Sequence, residues 1–363
     1  KFKAAYLYFK HNQFVEAAQR YFEIIETWPR DPLSRKAANL VLDSLNVQKQ
    51  WDELAKYAAA FRDNQKLVGK DQKFKSEVQE LLEGATYLSI QEAEKKARAL
   101  ADAGEKQEAL APVAVRFEKF QSDFPDSRFA DKALFSAVLI YNQAEELDHA
   151  LAAAERMADT YGRNAEDEEP KKKRRRGRRT AKKKDGESER NEREELLRRN
   201  HLLRASFYER IADFAKSADL YASYYDQYGD ADEAADSLYN AGVYYQGLGR
   251  YELAIEKFDE YISELDQDDE AEIYWRLSEI HEAKEDWAKA GACFDQFRKK
   301  YRAATPAKVF ESRYRYALAL EKQSKRPAAM KEYQWLVKEY PKLPAEAQKA
   351  SGAQLAGAHA AFE

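Results

Sequence analysis

What the sequence has little of does much of the sorting. A single cysteine, Cys293, excludes an intrachain disulfide. That fits a reducing cytoplasm, and equally an oxidising compartment in a protein that uses no disulfides. Thirteen glycines and nine prolines in 363 residues are too few for a turn-rich β architecture, and an apolar class rich in Ala, Leu, Tyr and Phe favours helices. No apolar run approaches the roughly 18–20 residues that span a bilayer. The histidines (His11, His149, His201, His281 and His359) form no HExxH or His/Cys cluster, so no metal is expected. The GxxxxGK[ST], GxGxxG and GxSxG signatures are absent. Carboxylates are many but dispersed, as solvated helix faces require. No catalytic residue, cofactor or small-molecule substrate is therefore expected, and the chain reads as something other than an enzyme.

What is there is a repeat. The stretch Tyr251-Glu252-Leu253-Ala254-Ile255-Glu256-Lys257-Phe258 follows Leu238, Ala241-Gly242, Tyr245 and a Gly247-Leu248-Gly249 break. This is helix, turn, helix, with small residues where two helices touch and aromatics where they interlock. Slots equivalent to Phe258 fall at Tyr21, Ala58, Phe117, Ala154, Tyr221, Phe294 and Tyr333, giving spacings of 37, 59, 37, 67, 37, 36 and 39. The two long spacings are one unit plus an insertion. The preceding small slot reads Ala17, Val113, Ser217, Ala254, Ala290 and Ala329, and Trp28-Pro29, Phe124-Pro125 and Tyr340-Pro341 close units, since proline cannot continue a helix. His281 occupies the slot of Tyr245 one repeat on, as a packing histidine, and Cys293 reads as a small buried hydrophobe.

This pattern resembles the tetratricopeptide repeat (TPR), which implies an all-α superhelix of about eight stacked hairpins. We expect a first array over 1–162, a charged unstructured linker over 163–190, a second array over 191–343 and a capping helix over 344–363. The Ala-rich tail with Leu355 and Phe362 supplies that cap. The opening Lys1-Phe2-Lys3 lies inside a helix pattern without an initiator Met or a cap, and is read as a mature form or fragment. One insertion carries Phe74, Val78, Leu81, Ala85, Leu88, Ala93, Ala97 and Leu100 at helical spacing, so a long helix is expected near 73–102. It is either a lengthened repeat helix or a projecting arm.

The other insertion turns from acidic (Glu166 to Glu169) to basic: Lys171, Lys172, Lys173, Arg174, Arg175, Arg176, Arg178, Arg179, Lys182, Lys183 and Lys184. With the chain at −4 overall, these eleven cations leave the remainder at −15. The run has nothing apolar to bury and repels itself. It is a solvated loop, a contact for an anionic surface, a nucleic-acid contact or a nuclear localisation signal. Without interleaved aromatics to stack on bases, nucleic acid is disfavoured.

In the resembled family the first helix of each hairpin lines a groove. That implies a partner-binding row of Phe135, Leu202, Tyr239, Trp275 and Tyr314, with Ser206, Val243, Glu279 and Leu318 one turn later. Inter-repeat packing is the competing explanation of the same aromatics. Family members that clamp chaperone tails carry Lys and Asn at these two positions, and the aligned residues include neither. Phe117-Glu118-Lys119-Phe120, Phe124-Pro125-Asp126-Ser127 and Ala130-Asp131-Lys132-Ala133, echoed by Tyr340-Pro341, are similar to bacterial cell-envelope members: the periplasmic partner of the Tol system, outer-membrane assembly lipoproteins and gliding-motility components. The implied function is a scaffold for peptide or helix segments of partner proteins, in the periplasm or on the periplasmic face of the outer membrane. The alternative is a cytoplasmic adaptor or regulator whose basic loop contacts nucleic acid.

Overall fold

A computed structural model of the chain describes residues 1–162, 181–264, 270–300 and 305–361. Among them there are helices and turns and no strand. The first helices are α1 (Phe2–Lys10) with α2 (Phe14–Thr27), then α3 (Pro32–Val47) with α4 (Trp51–Asp63). A single turn, α5 (Gln65–Val68), leads to the long α6 (Gln72–Arg98) and α7 (Ala103–Asp123), followed by α8 (Ala130–Gln143) and α9 (Leu147–Met157). Helix α10 (Ala181–Arg210) precedes α11 (Phe214–Tyr228), α12 (Ala234–Gly247), α13 (Tyr251–Glu264), α14 (Glu270–Ala283), α15 (Trp287–Lys300), α16 (Pro306–Lys322) and α17 (Arg326–Glu339). Two short helices end the chain, α18 (Ala345–Ala350) and α19 (Gly352–Ala360). Packing divides it into two compact units, Lys1–Phe207 and Tyr208–Glu363.

Seven of the connections from a first helix to a second use one backbone turn. A residue with φ between +55° and +70° stands at Asn12, Lys49, Glu145, Ala212, Gly249, Glu285 and Ser324. The next residue sends its N–H back to a carbonyl five positions earlier, Gln13 to Tyr8, Gln50 to Leu45, Glu146 to Tyr141, Asp213 to Tyr208, Arg250 to Tyr245, Asp286 to His281 and Lys325 to Leu320, all at 2.8–3.0 Å. This is the Schellman closure, which satisfies carbonyls the ending helix leaves orphaned. The same residue's carbonyl accepts the first bond of the second helix, from Ala17, Leu54, Ala150, Ser217, Ala254, Ala290 and Ala329. The turn therefore fixes the small slot, and one turn further on it fixes the large one. Tyr21, Ala58, Ala154, Tyr221, Phe258, Phe294 and Tyr333 each lie nine residues past the left-handed residue, and each is buried.

Between α6 and α7 the turn is different. No residue there has positive φ, and Asp102 caps α7 by accepting from the Glu105 N–H at 2.9 Å. Helix α6 spans 27 residues, about 40 Å at 1.5 Å per residue, and packs against both α4 and α7. It is a lengthened repeat helix, not an arm. Phe74, Val78, Leu82 and Ala85 join a core with α1 to α4, while Tyr87, Ile90 and Ala97 join a second with α7 to α9. Serving two cores on different faces splits the apolar stripe, which is why Leu88, expected to be inward, is exposed.

Helix α10 begins at Ala181, inside the segment expected to be unstructured. After the cationic run the sequence mixes Glu and Arg with Leu196, Leu197 and Leu203, and good helix formers of alternating charge sustain a helix. Its apolar side joins the second core through Leu197 and Phe207. Arg193 pairs with the buried Asp131 at 2.8 Å, and Asn200 donates to the Ala154 carbonyl at 2.9 Å. The expected cap is two helices with a break at Ser351-Gly352 rather than one. Tyr340 donates its hydroxyl to the Gln348 carbonyl at 2.9 Å, and Ala347 and Ala358 are buried. Phe362 lies outside the described residues.

Candidate partner-binding face

The left-handed residue of each turn gives a register for the first helices. Ten positions before it lie Phe2, Asn39, Phe135, Leu202, Tyr239, Trp275 and Tyr314; six before it lie Tyr6, Asp43, Leu139, Ser206, Val243, Glu279 and Leu318. Sequence reasoning found the later members and missed the first two helices. The turns at Asn12 and Lys49 carry no glycine, as at Glu145, Ala212, Glu285 and Ser324, yet Tyr21 and Ala58 lie nineteen residues after Phe2 and Asn39 as Phe258 does after Tyr239, so the large slots already set the register there. Asn39 also corrects the expectation that asparagine is absent from these positions; lysine is still missing from both rows.

The expected row is not uniformly accessible. Phe135 is only 3% exposed and packs in the second core, with the Arg199 guanidinium 5.1 Å from its ring. Trp275 is 8% exposed, edge-on to Phe294 and Phe297 of its own hairpin, and donates its indole N–H to Glu279 at 2.9 Å. Tyr239 is half-buried and leans on Phe258 and Tyr261. Tyr314 and Leu202 are half-buried, as are Ser206, Val243, Glu279 and Leu318.

Within the second unit, the spaces between consecutive first helices are filled by arginine. Arg276 on α14 reaches back to α12, where its Nε donates to the Tyr239 hydroxyl at 3.1 Å and its guanidinium lies 5.4 Å from that ring. It also donates to Gln246 at 3.3 Å and pairs with Glu272 at 3.4 Å. Arg315 on α16 repeats the arrangement over Trp275 at 5.2 Å, paired with Glu282 at 3.0 Å and Glu311 at 2.9 Å. Both arginines stand nine residues before their turn.

In the first unit the equivalent space between α1 and α3 is open. It is a cavity of about 360 Å³ lined by Phe2, Tyr6, Lys36, Asn39, Leu40 and Asp43. Four of these six are the row positions that sequence reasoning missed. Asn39 Oδ1 is closed to solvent and without a hydrogen-bond partner among the described residues. Partial burial raises the Asp43 carboxyl above its usual value.

Of the basic run, Lys171, Lys172, Lys173, Arg174, Arg175, Arg176, Arg178 and Arg179 lie outside the described residues, while Lys182, Lys183 and Lys184 fall in the first turn of α10. His281 is buried in the slot of Tyr245, and burial lowers its pKa. Cys293 is half-buried rather than fully buried, and burial pushes its thiol up to about 11, the wrong direction for a nucleophile. Among the described residues no group of His, Cys, Asp and Glu is arranged to hold a metal. No described helix is long and apolar enough to cross a membrane.

The sequence model of the tetratricopeptide repeat matches residues 236–265 and 311–342. No curated protein matches the sequence. Among solved structures, the chain is similar to a tetratricopeptide repeat protein from Parabacteroides merdae at 16% identity and a TM-score of 0.36, over 73% of this chain and 87% of that one. It is similar to BtubC from P. vanneervenii at 14% identity and a TM-score of 0.35, over 70% and 91%. The apo form of RapI aligns at 8% identity and a TM-score of 0.35, over 99% and 96%.

Proposed function

Because this chain carries tetratricopeptide repeats, we propose that it is a non-catalytic scaffold that docks peptide or helix segments of other proteins along its first helices. The observation that carries this reading is the constant register. Seven identical turns place one residue at the same point of each first helix, and Phe2, Phe135, Tyr239, Trp275 and Tyr314 make five of the seven aromatic. Aromatics anchor protein interfaces far more often than other residues do. Phe135 and Trp275 are committed to packing, so the working contacts are Tyr239, Tyr314, Leu202 and the α1–α3 cavity. A photo-crosslinking amino acid at Val243 or Tyr314 should capture partners in the native cell, and one at Leu253, exposed on a second helix, should not. Equal capture at all three positions would reject the docking face.

The setting we propose is a bacterial cell-envelope assembly, in the periplasm or on the periplasmic face of the outer membrane. Its support is the similarity of Phe117 to Ala133 to envelope members of the family. Fractionation of native cells tests it, and recovery of the chain with the cytoplasm would overturn it. The basic run over 171–184 is assigned to contact with an anionic surface. Salt-sensitive binding to anionic but not neutral vesicles is the expected result, and salt-sensitive binding to DNA alone would favour the nucleic-acid alternative.

A further inference from the structure

We propose that the cavity between α1 and α3 is a subsite for a basic side chain, lysine or arginine, borne by a partner segment lying across the first helices. This rests on the docking reading above and adds to it the chemistry of the occupant.

The chain itself supplies the reasoning. At three other places a cation from a later first helix covers the aromatic ten residues before a turn: Arg199 over Phe135, Arg276 over Tyr239 and Arg315 over Trp275. The last two come from the same position, nine residues before the turn. In the N-terminal pair that position is Leu40, too short to reach, and the space over Phe2 is left as the cavity. Its walls at Phe2, Tyr6 and Leu40 suit the aliphatic stem of a long basic side chain. Its one carboxylate is Asp43, exposed and paired with no cation among the described residues. Asp43 occupies the position of Glu279, and Glu279 lies 3.9 Å from Arg315. The next first helix after Asp43 is α6, whose turn to α7 lacks the common register, so no arginine of this ladder answers Asp43. Lys36 is an exposed lining residue and would favour an acidic occupant, but such a group would face Asp43 and would not reproduce the cation that lies over the equivalent rings of Tyr239 and Trp275.

Two substitutions test the occupant, Asp43→Lys without touching packing and Leu40→Arg at a half-buried residue on the edge of the first core. Leu40→Arg places the chain's own guanidinium where Arg276 sits in the second unit, and Asp43→Lys reverses the charge at an exposed residue. The full chain is screened against an array of nonapeptides of varied sequence. Peptides bound by the wild type should be enriched in those with a lysine or arginine beside apolar residues. Leu40→Arg and Asp43→Lys should each weaken these peptides about fivefold, with no fall in thermal midpoint for Asp43→Lys. If bound peptides respond to Val243→Glu or Leu318→Glu but not to Leu40→Arg, the docking face stands and the cationic subsite is rejected. Enrichment of acidic peptides sensitive to Asp43→Lys also rejects it. If no peptide binds, both readings fail.

Discussion

The Phe258 ring leaves no room for a side chain at Gly242, which can be tested by adding one methyl group. A Cβ on Gly242 would lie 2.5, 2.8 and 2.9 Å from three carbons of the Phe258 ring, where carbon pairs rest at about 3.5–4.0 Å. Phe258 is fully buried and cannot swing away freely. Two terms oppose each other. Replacing glycine with alanine inside a helix gains about 1 kcal/mol, while overpacking a tight core costs about 1–3 kcal/mol. We expect Gly242→Ala to destabilise the second unit by about 1 kcal/mol, a fall of roughly 2–4 °C in its thermal midpoint. Gly84, mid-helix in α6, has nothing within 4 Å of a built Cβ, so Gly84→Ala should stabilise the first unit by about 1 kcal/mol. Gly291 is intermediate, its added Cβ 3.3 Å from Ala319 Cβ and 3.4 Å from the Gln323 amide that donates to the Trp287 carbonyl, and its alanine variant should be near neutral. Fluorescence in a Trp28→Phe, Trp51→Phe background reports the second unit alone, because Trp275, Trp287 and Trp335 all lie there, and calorimetry of the full chain reads Gly84→Ala in the first. A gain at Gly242 equal to that at Gly84 would mean the ring is elsewhere. Shrinking the ring by Phe258→Leu should remove the Gly242→Ala penalty in a double-mutant cycle.

Ala212 holds φ +62° without being glycine, so Ala212→Gly should stabilise by about 0.5–1 kcal/mol on urea unfolding, against the loss glycine brings inside a helix. His281 has its pKa lowered by burial, with Asp286, Asp259, Lys289 and Lys284 as its charged neighbours. The fold therefore favours the neutral ring, and the unfolded chain binds the proton first as pH falls. The histidine's contribution is present above the usual histidine pKa and is lost on acidification towards its lowered value. His281→Tyr should flatten that part of the stability–pH curve. Asp131→Asn removes the carboxylate that Arg193 holds at 2.8 Å. Arg193 is itself 43% exposed, so the loss should be about 1–3 kcal/mol rather than that of a fully buried pair. It should appear as faster amide exchange around residues 190–200. Trp275→Ala should cost about 3–5 kcal/mol, which makes it a poor probe of partner binding.

The repeat was legible because its slots are set by burial. A residue that must fill or vacate a helix–helix contact announces itself by size, and every large slot from Tyr21 to Tyr333 is buried. The turn that generates the spacing was legible only at Gly249. The other six left-handed positions carry Asn, Lys, Glu, Ala, Glu and Ser, because the Schellman hydrogen bonds make the conformation worthwhile without glycine, at about 1 kcal/mol each. The first-helix register is carried instead by the large slots nineteen residues on, and extending it back from Tyr21 and Ala58 reaches Phe2 and Asn39. The long helix was visible as apolar periodicity, but its change of face between Ala85 and Tyr87 depends on which helices flank it, and a single stripe cannot encode that. Arg276 and Arg315 look like solvated charge in the sequence. Their role appears only when the preceding first helix is in place beneath them.

That placement bears on how such a scaffold gains affinity. The Arg276 and Arg315 side chains remain 25% and 29% exposed, and ion pairs so open to water contribute at most about 1 kcal/mol each. A partner's basic side chain in the α1–α3 cavity meets a similar setting, since Asp43 keeps an edge in solvent. One subsite of this kind selects a partner more than it holds one. Retention must come from several contacts made by one segment, where each further engagement is intramolecular and the gains multiply. The roughly fivefold effect expected of Leu40→Arg on a nonapeptide should therefore shrink on a long natural segment that also reaches subsites beyond α3, unless the α1–α3 cavity is where binding begins.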